Sequence, residues 1–312
     1  MQRVTANMFP DALIAQFARL GWHQMRLQQQ AASGLRVQNP ADDPAAMRRI
    51  LQLQDEARAV AQYRVNVARL KERATTGYNA LRGLQRIMTR AGEIATLAGG
   101  GRSSQELAVF AAEVTQLIRQ AVQALNTQHQ GDFLFGGTRT DQPPFVITEN
   151  GDGTIQSVTY QGNTNVPSFE IAEQVMLEIL PVGANTSGSG PAGVAADSRT
   201  GADLFASLIA LQNELRAGNV VAIQSTVFPA LQRAEQNVVA QVASVSALTA
   251  HMDTAAELAG TREASLEKLI SAQADADLAE VVTRLNQAQT AYQAALLSGT
   301  RLLNLSLLDY LR

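Results

Sequence analysis

Apolar residues recur at helical spacing along two long proline-free arms, Ala45 to Gln142 and Ala230 to Arg312. Leu107, Phe110, Val114, Leu117, Ala121 and Ala124 step by threes and fours. So do Leu231, Ala234, Val238, Val245, Leu248, Met252 and Ala255, with Gln241 filling the one gap. These steps place one stripe on one helix face, and the lack of proline leaves the backbone ladder unbroken. A shorter stripe comes earlier, Leu13, Phe17, Leu20, Leu27 and Ala31 with Gln24 in the seam, and stops at Ser33-Gly34. A helix over residues 5–33 would be roughly 44 Å long at 1.5 Å per residue.

Asn39-Pro40 breaks the path, and Asp42-Asp43-Pro44 opens the next helix, with Asp43 as its cap and Pro44 at its first position. That arm passes through Ile50, Leu53, Ala57, Val60, Val67 and Leu70 towards Leu81, Leu84, Met88 and Ala91. Gly99-Gly100-Gly101 is the predicted turn, and a helix over 104–130 returns along it. Past Pro229 the last arm is predicted to run uninterrupted almost to the end, through Leu278, Val281, Leu285, Ala288, Tyr292, Ala295 and Leu302.

Between the arms the period changes. Half of the 22 glycines lie from Gly131 to Gly201, so turns rather than long helices are expected there. Phe145–Thr148 and Ile155–Tyr160 flank Glu149-Asn-Gly-Asp-Gly-Thr154 as a β-hairpin, 169–171 and 175–180 are further strand candidates, and 185–190 reads as a flexible exposed loop. Helix resumes near Ala202 with Leu204, Leu208, Leu211 and Leu215. The fold class is mainly α with a small β insertion, an elongated rod of long paired helices drawn from both termini. Three regions are expected: a terminal helical assembly region (1–44 plus 286–312), a central helical rod (45–131 plus 202–285) and a middle β-rich domain (132–201).

Charge sharpens this picture. The net charge is only −3, yet residues 1–100 hold 14 Lys and Arg against 7 Asp and Glu, leaving 11 against 21 for the remainder. The arginines are dispersed, without basic runs or interleaved aromatics, which argues against a nucleic-acid partner. Complementary faces of adjacent arms explain the asymmetry instead, with Arg58, Arg64, Arg69 and Arg73 set near Glu257, Glu263 and Glu267. No cysteine is present, so disulfides and thiolate sites are excluded. The start lacks the apolar core of a cleaved secretory signal, and no stretch approaches the ~18 apolar residues of a membrane span.

Candidate chemistry adds little. The glycine-rich stretches lack the Lys-Ser/Thr ending of a phosphate loop. Asn150-Gly-Asp-Gly153 resembles half a calcium loop, but the position of the bidentate Glu falls on Thr159. His23, His129 and His251 lie on separate segments, and Asp42 with Asp43 is better placed for capping than for catalysis. Asn185-Thr-Ser187 and Asn304-Leu-Ser306 match the glycosylation pattern, a frequent chance match. No enzyme activity, metal or cofactor is expected.

Four segments carry a family resemblance: Arg3-Val-Thr-Ala-Asn-Met-Phe9, Ser33-Gly-Leu-Arg-Val-Gln-Asn-Pro-Ala-Asp-Asp-Pro44, Phe133-Leu-Phe-Gly-Gly-Thr138 with Pro143-Pro-Phe145, and Leu305-Ser-Leu-Leu-Asp-Tyr-Leu311. Together, in this order, they resemble the hook–filament junction proteins of the flagellin superfamily. The resemblance implies a secreted structural subunit of the bacterial flagellum, exported by the flagellar type III apparatus and forming a ring of its own copies between a hook-side junction protein and flagellin. It also implies a cytoplasmic chaperone on the C-terminal tail before export. Flagellin itself, or a non-flagellar helical scaffold rod, are the alternatives. The residues expected to meet other subunits or the chaperone are Leu13, Phe17, Leu20 and Leu27 near one end and Leu302, Leu303, Leu305, Leu308 and Leu311 near the other. Fully burying one such side chain is worth roughly 1.5 to 3 kcal/mol, so bare stripes of this size call for a partner.

Overall fold

The computed structural model describes the backbone of residues 8–310 and the side chains of residues 12–300. Its long helices are α1 (Met8–Ser33), α2 (Pro44–Ala98), α3 (Ser104–Leu125), α4 (Leu204–Ala217), α6 (Phe228–Ala274) and α7 (Leu278–Tyr310), with a single turn, α5 (Val220–Ala222), before α6. Nine short strands stand between α3 and α4: β1 (Gln128–His129), β2 (Asp132–Phe133), β3 (Phe145–Glu149), β4 (Ile155–Tyr160), β5 (Ser168–Ala172), β6 (Val175–Glu178), β7 (Val182–Asn185), β8 (Gly193–Asp197) and β9 (Ala202–Asp203). The chain is mainly helical with a small β insertion. It divides into two compact units, Val60–Gly260 and Met1–Ala59 with Thr261–Arg312.

In the unit Val60–Gly260 the predicted stripes meet in one core. Leu81, Leu84, Met88 and Ile94 of α2 pack with Val114, Ile118 and Leu125 of α3, Leu204, Leu208 and Leu211 of α4, and Leu231 and Val238 of α6. Within each set the spacings are threes, fours or their sums, so each helix offers a single apolar face and the shared core follows from four such faces meeting. The α2–α3 turn is glycine at Gly99–Gly101. A Cβ on Gly99 would stand 2.8 Å from Gln224 Nε2, which donates to the Ala95 carbonyl at 2.8 Å. Helix α3 then opens with a reciprocal cap: Glu106 N–H donates to Ser103 Oγ, and Ser103 N–H donates to Glu106 Oε2.

The strands form β1–β2, β3–β4 and β5–β6 hairpins, and a three-stranded sheet in which β8 runs parallel to β7 and antiparallel to β9. Two side-chain amides tie the β3–β4 hairpin to the helices. Asn126, capping the end of α3, donates from Nδ2 to the Phe145 carbonyl at 2.8 Å and accepts the Phe145 N–H at 2.9 Å. Gln212 of α4, fully buried, donates to the Ile155 carbonyl at 3.1 Å and accepts from the Ile155 N–H at 3.2 Å and the Thr115 hydroxyl at 2.9 Å. Each amide stands in for a strand partner, which satisfies backbone groups that burial would otherwise leave costly.

Three expectations need correction. The last arm is not continuous: it breaks between α6 and α7, where Asp277 Oδ1 accepts the Ala279 and Glu280 N–H groups and starts a new helix. Helix α3 stops at Leu125, because Asn126 leaves the helix to bind Phe145. The segment 185–190 is exposed from Thr186 onward, as expected, but it is tied down: Asn185 is 1% exposed, and its Nδ2 donates to the Ser189 and Pro191 carbonyls at 2.7 Å each. The ion pairs follow the expected charge asymmetry at one place and add local pairs at others. Lys71 pairs with Asp253, but Arg58 pairs with Asp55 on its own helix and Arg73 with Asp132, while α6 offers a base, Arg262, to Glu56. Exposed pairs of this kind contribute about 0 to 1 kcal/mol each, so the apolar faces carry the packing.

The β7–β8–β9 sheet has a buried charge at its centre. Asp197 accepts from the Arg199 guanidinium, from the Arg199 N–H at 3.0 Å and from the Gly193 N–H at 3.1 Å, and these donors hold its carboxyl below the usual carboxylate range. A carboxyl lowered on folding stabilises the fold above its unfolded value, about 3.9, and that contribution is lost as pH falls through the folded value. Amide hydrogen exchange over 182–203 should therefore quicken in acid before exchange in α3 and α4 does. Asp197→Asn should remove that acid step; an unchanged acid profile in the variant would assign it elsewhere.

Candidate assembly interface

The unit Met1–Ala59 with Thr261–Arg312 is built on α1 and α7, which run in opposite directions. The Phe17 and Tyr292 rings meet edge to face at 6.4 Å, and a Cβ on Gly299 would stand 2.9 Å from Phe17 Cζ and 3.3 Å from Leu13 Cδ2. The covered positions include 13, 17, 20, 24, 27 and 31 on α1, with 21 and 30 beside them, and 281, 285, 288, 292, 295 and 299 on α7, with 289 beside them. Both series alternate steps of four and three, the spacing of a two-helix seam. Leu13, Phe17 and Leu20 are thus half-buried and Leu27 is buried within the chain itself.

A different stripe of α1 is bare. Ile14 is 64% exposed, Trp22 70% and Met25 43%, and on α7 Leu297 is 65% exposed. Periodicity alone did not single these out, because the stronger heptad stripe beside them absorbs the pattern. The signal that could have found them is a second set of apolar residues, at 14, 22 and 25, one step off the first. Leu302, Leu303, Leu305 and Leu308 lie on the α7 backbone with side chains outside the described residues, and Leu311 lies outside them altogether. The Arg3–Phe9 motif is outside the described side chains as well.

The Ser33–Pro44 motif joins the two helices at their other end. Gly34, at φ 72°, ends α1 in the left-handed region that glycine tolerates, and its N–H returns to the Gln30 carbonyl at 2.9 Å. The chain then pairs with the break before α7: the Arg36 N–H donates to the Ala274 carbonyl at 2.6 Å and the Ala276 N–H to the Gly34 carbonyl at 2.8 Å. Arg36 adds a guanidinium bond to the Gln273 carbonyl at 2.8 Å, and Val37 is buried with Ala46, Ile50 and Ala274. The two aspartates close the motif. Asp42 Oδ2 accepts the Asn39 and Gln38 N–H groups, and Asp43 Oδ1 accepts the Ala46 and Ala45 N–H groups at the start of α2. These backbone donors hold both carboxyls below the usual range, so the pair acts as caps for the backbone.

The Phe133–Thr138 motif is a hub in the other unit. Phe135 is fully buried, and its carbonyl accepts from the Gly183 N–H at 2.8 Å and the Tyr160 hydroxyl at 3.0 Å. Burial pushes the Tyr160 hydroxyl up to about 12. The Phe145 ring lies 5.1 Å from Tyr160 and 5.3 Å from Phe205, which links the hairpin to α4. Gly137 is at φ 71°, where a Cβ would stand 2.5 Å from the Asn163 carbonyl oxygen, so the motif's second glycine is a steric requirement.

Among the described residues no group of three His, Asp or Glu side chains is placed to hold a metal ion, and no helix is long and apolar enough to cross a membrane. Both amide hydrogens of Asn185 are occupied, so the structure gives that residue an internal role. Asn304 lies outside the described side chains.

Residues 21–140 match the bacterial flagellin N-terminal helical region; they run from within α1 through α2 and α3 to just past β2. Flagellar hook-associated protein 3 of Salmonella typhimurium is 26% identical over 162 residues, 51% of this chain and 51% of that protein, so the match spans about half of this curated relative. Among solved structures, a candidate flagellar hook-associated protein of Vibrio parahaemolyticus superposes with a TM-score of 0.62 at 21% identity, covering 75% of this chain and 99% of that one. The protein named FlgL from Bacillus cereus gives a TM-score of 0.56 at 20% identity, covering 69% and 97%. The fold is therefore shared with flagellar hook-associated proteins.

Gly299 tests the seam. A glycine inside a helix costs about 0.5–1 kcal/mol relative to Ala, and overpacking a filled contact costs about 1–3 kcal/mol. Gly299→Ala should be close to neutral, since the Phe17 ring end can give way. Gly299→Leu should displace the ring, speed amide exchange in α1 and leave α3 and α4 unaffected; equal protection in both variants would show that α1 does not rest on this glycine.

Proposed function

We propose that this chain, with its flagellin N-terminal helical region at residues 21–140, is a structural subunit of the bacterial flagellum that forms the junction between hook and filament. The observation that carries the reading is the antiparallel α1–α7 pair: it covers one stripe of α1 and leaves Ile14, Trp22 and Met25 bare. Bare apolar residues in a row call for a cover, and copies of the same chain arranged in a ring supply it. Leu13, Phe17, Leu20 and Leu27 position that surface from beneath, and Leu302, Leu303, Leu305, Leu308 and Leu311 extend it along the tail. The terminal region, 1–44 plus 286–312, is the assembling part; the central helices (45–131 plus 202–285) and the middle β-rich domain (132–201) complete the subunit.

In this reading the chain leaves the cell through the flagellar type III apparatus, with a cytoplasmic chaperone on the tail leucines until export. Its neighbours are a hook-side junction protein and flagellin. The Phe133–Thr138 hub and the Leu305–Leu311 ending favour the junction over the filament, because flagellins usually lack both.

Flagella sheared from the producing cells should contain the chain, and cells lacking it should carry hooks without filaments. Trp22→Asp should leave the free monomer's helix content and thermal midpoint unchanged, since the residue is 70% exposed, yet abolish incorporation. Sheared flagella free of the chain would overturn the proposal. For the tail, Leu305→Asp combined with Leu308→Asp should abolish chaperone co-purification while the hub and α3–α4 core stay folded; retained chaperone binding would remove the tail from that role.

A further inference from the structure

The turn between β3 and β4 contains a glycine that the fold does not require. The Gly153 N–H donates to the Asn150 carbonyl at 3.0 Å, and the Asn150 N–H donates to the Thr154 carbonyl at 2.8 Å. Gly153 stands at φ 79°, so the left-handed position of this turn is already held by a glycine. Gly151 differs: its φ lies outside that region, and a Cβ there would meet nothing within 4 Å. Neither backbone conformation nor space calls for glycine at 151. The residue is exposed, and its N–H has no hydrogen-bond partner among the described residues.

The missing side chain leaves that nitrogen unshielded beside an amide. Of all the asparagines in the chain, Asn150 alone is followed by glycine. Asn150 is exposed, and its Nδ2 donates to Thr154 Oγ1 at 2.9 Å. We infer that Asn150-Gly151 is a self-modifying site, at which the Gly151 nitrogen attacks the side-chain carbonyl carbon of Asn150. A bond forms from that nitrogen to Cγ, the bond from Cγ to Nδ2 breaks, and the proton of the Gly151 amide leaves with Nδ2 as ammonia. Water then opens the cyclic imide. Opening at Cγ gives an aspartyl residue at position 150. Opening at the main-chain carbonyl gives an isoaspartyl residue, whose backbone is longer by a methylene. The neighbouring Asp152-Gly153 has the atoms for the same ring, but its nitrogen is held by the Asn150 carbonyl and both carboxylate oxygens are engaged. Oδ1 accepts from the Thr154 hydroxyl at 2.6 Å and the Thr154 N–H at 3.1 Å, and Oδ2 accepts from Arg216 at 2.6 Å. These donors hold the Asp152 carboxyl down at about 2, so it stays ionised and resists attack.

The site lies where the hairpin is pinned to the helices. Arg119 of α3 donates to Glu149 at 3.1 and 3.0 Å and to the Gly153 carbonyl at 3.0 Å, while Arg216 of α4 holds Asp152. A methylene added to the backbone at 150 puts these acceptors out of step with both arginines. Asn126 and Gln212 still hold the body of the hairpin, so the tip loosens and the core stays.

Purified full chain, kept folded in mildly alkaline buffer, should gain the mass of a single amide turned to acid. Peptide mapping should place aspartyl and isoaspartyl products at 150, with every other asparagine intact. Gly151→Val fits the open space, should keep the helix content by circular dichroism, and should slow the reaction at least ~10-fold because a branched side chain shields the nitrogen. Asn150→Asp carries the charge without the methylene and should show the hydrogen exchange of fresh chain over 145–160. The isoaspartyl fraction should exchange faster there and not in α3 or α4. A folded chain that keeps the Asn150 amide while the same chain in denaturant loses it would overturn the site, and so would equal rates in Gly151→Val. Unchanged exchange in the isoaspartyl fraction would overturn the loosening of the tip.

Discussion

The register of the terminal unit depends on a short backbone pairing between residues 34–37 and 274–276. Hydrogen bonds from Arg36 and Ala276 fix where α1 ends and α7 begins, and everything further along the two helices follows from that starting point. With a rise of about 1.5 Å per residue in each, a shift of one position at the pairing would slide Phe17 off Tyr292 and Gly299. The seam's steps of four and three would then face the wrong holes. Hydrophobic burial supplies the energy, but it is indifferent to register among stripes rich in alanine and glutamine. The directional bonds at the crossing, with Gly34, Asp42, Asp43 and Asp277 as caps, choose one register from several of similar burial.

A comparable division of labour holds in the unit Val60–Gly260. Four helical faces bury leucine, isoleucine and valine, which fixes the core without specifying where the strands attach. Attachment comes from polar groups: Asn126 and Gln212 each borrow one strand residue's backbone, and the Phe135 carbonyl receives Gly183 and Tyr160. Such bonds are worth about 0.5–1.5 kcal/mol net when made, and leaving a buried partner unsatisfied costs about 1–3 kcal/mol. Their contribution lies mainly in excluding other placements of the insertion.

The helices were legible in the sequence because their stripes repeat over many turns, and the β3–β4 hairpin because its turn carries glycine; β5 and β6 were legible as strands but not as a pair. The parallel β7–β8 pair was not, since nothing local joins Val182–Asn185 to Gly193–Asp197; a buried aspartate and a buried asparagine hold it, and both look like loop residues. The break at Asp275–Asp277 was missed because alanine and leucine continue the pattern on either side. Asp277 followed by Glu280 is a capping sequence, visible in retrospect, that competes with an otherwise good helix. Of the α1–α7 seam, the leucine and phenylalanine stripe was legible, but its mate within the chain was not, so Trp22 stood out only once α7 was seen covering the other side.

The antiparallel seam also has a consequence for when the chain can become itself. Helices α1 and α7 are separated by most of the described sequence, so during synthesis α1 emerges long before α7 exists. Until then the stripe of Leu13, Phe17, Leu20 and Leu27 has no mate, and closing so long a loop carries an entropy cost that local folding does not. The central helices can assemble from near neighbours meanwhile. A chain cut short anywhere before α7 therefore keeps two bare stripes on α1 in place of one. The seam thus acts as proof of completeness: only a molecule that holds both helices presents a single bare stripe on α1.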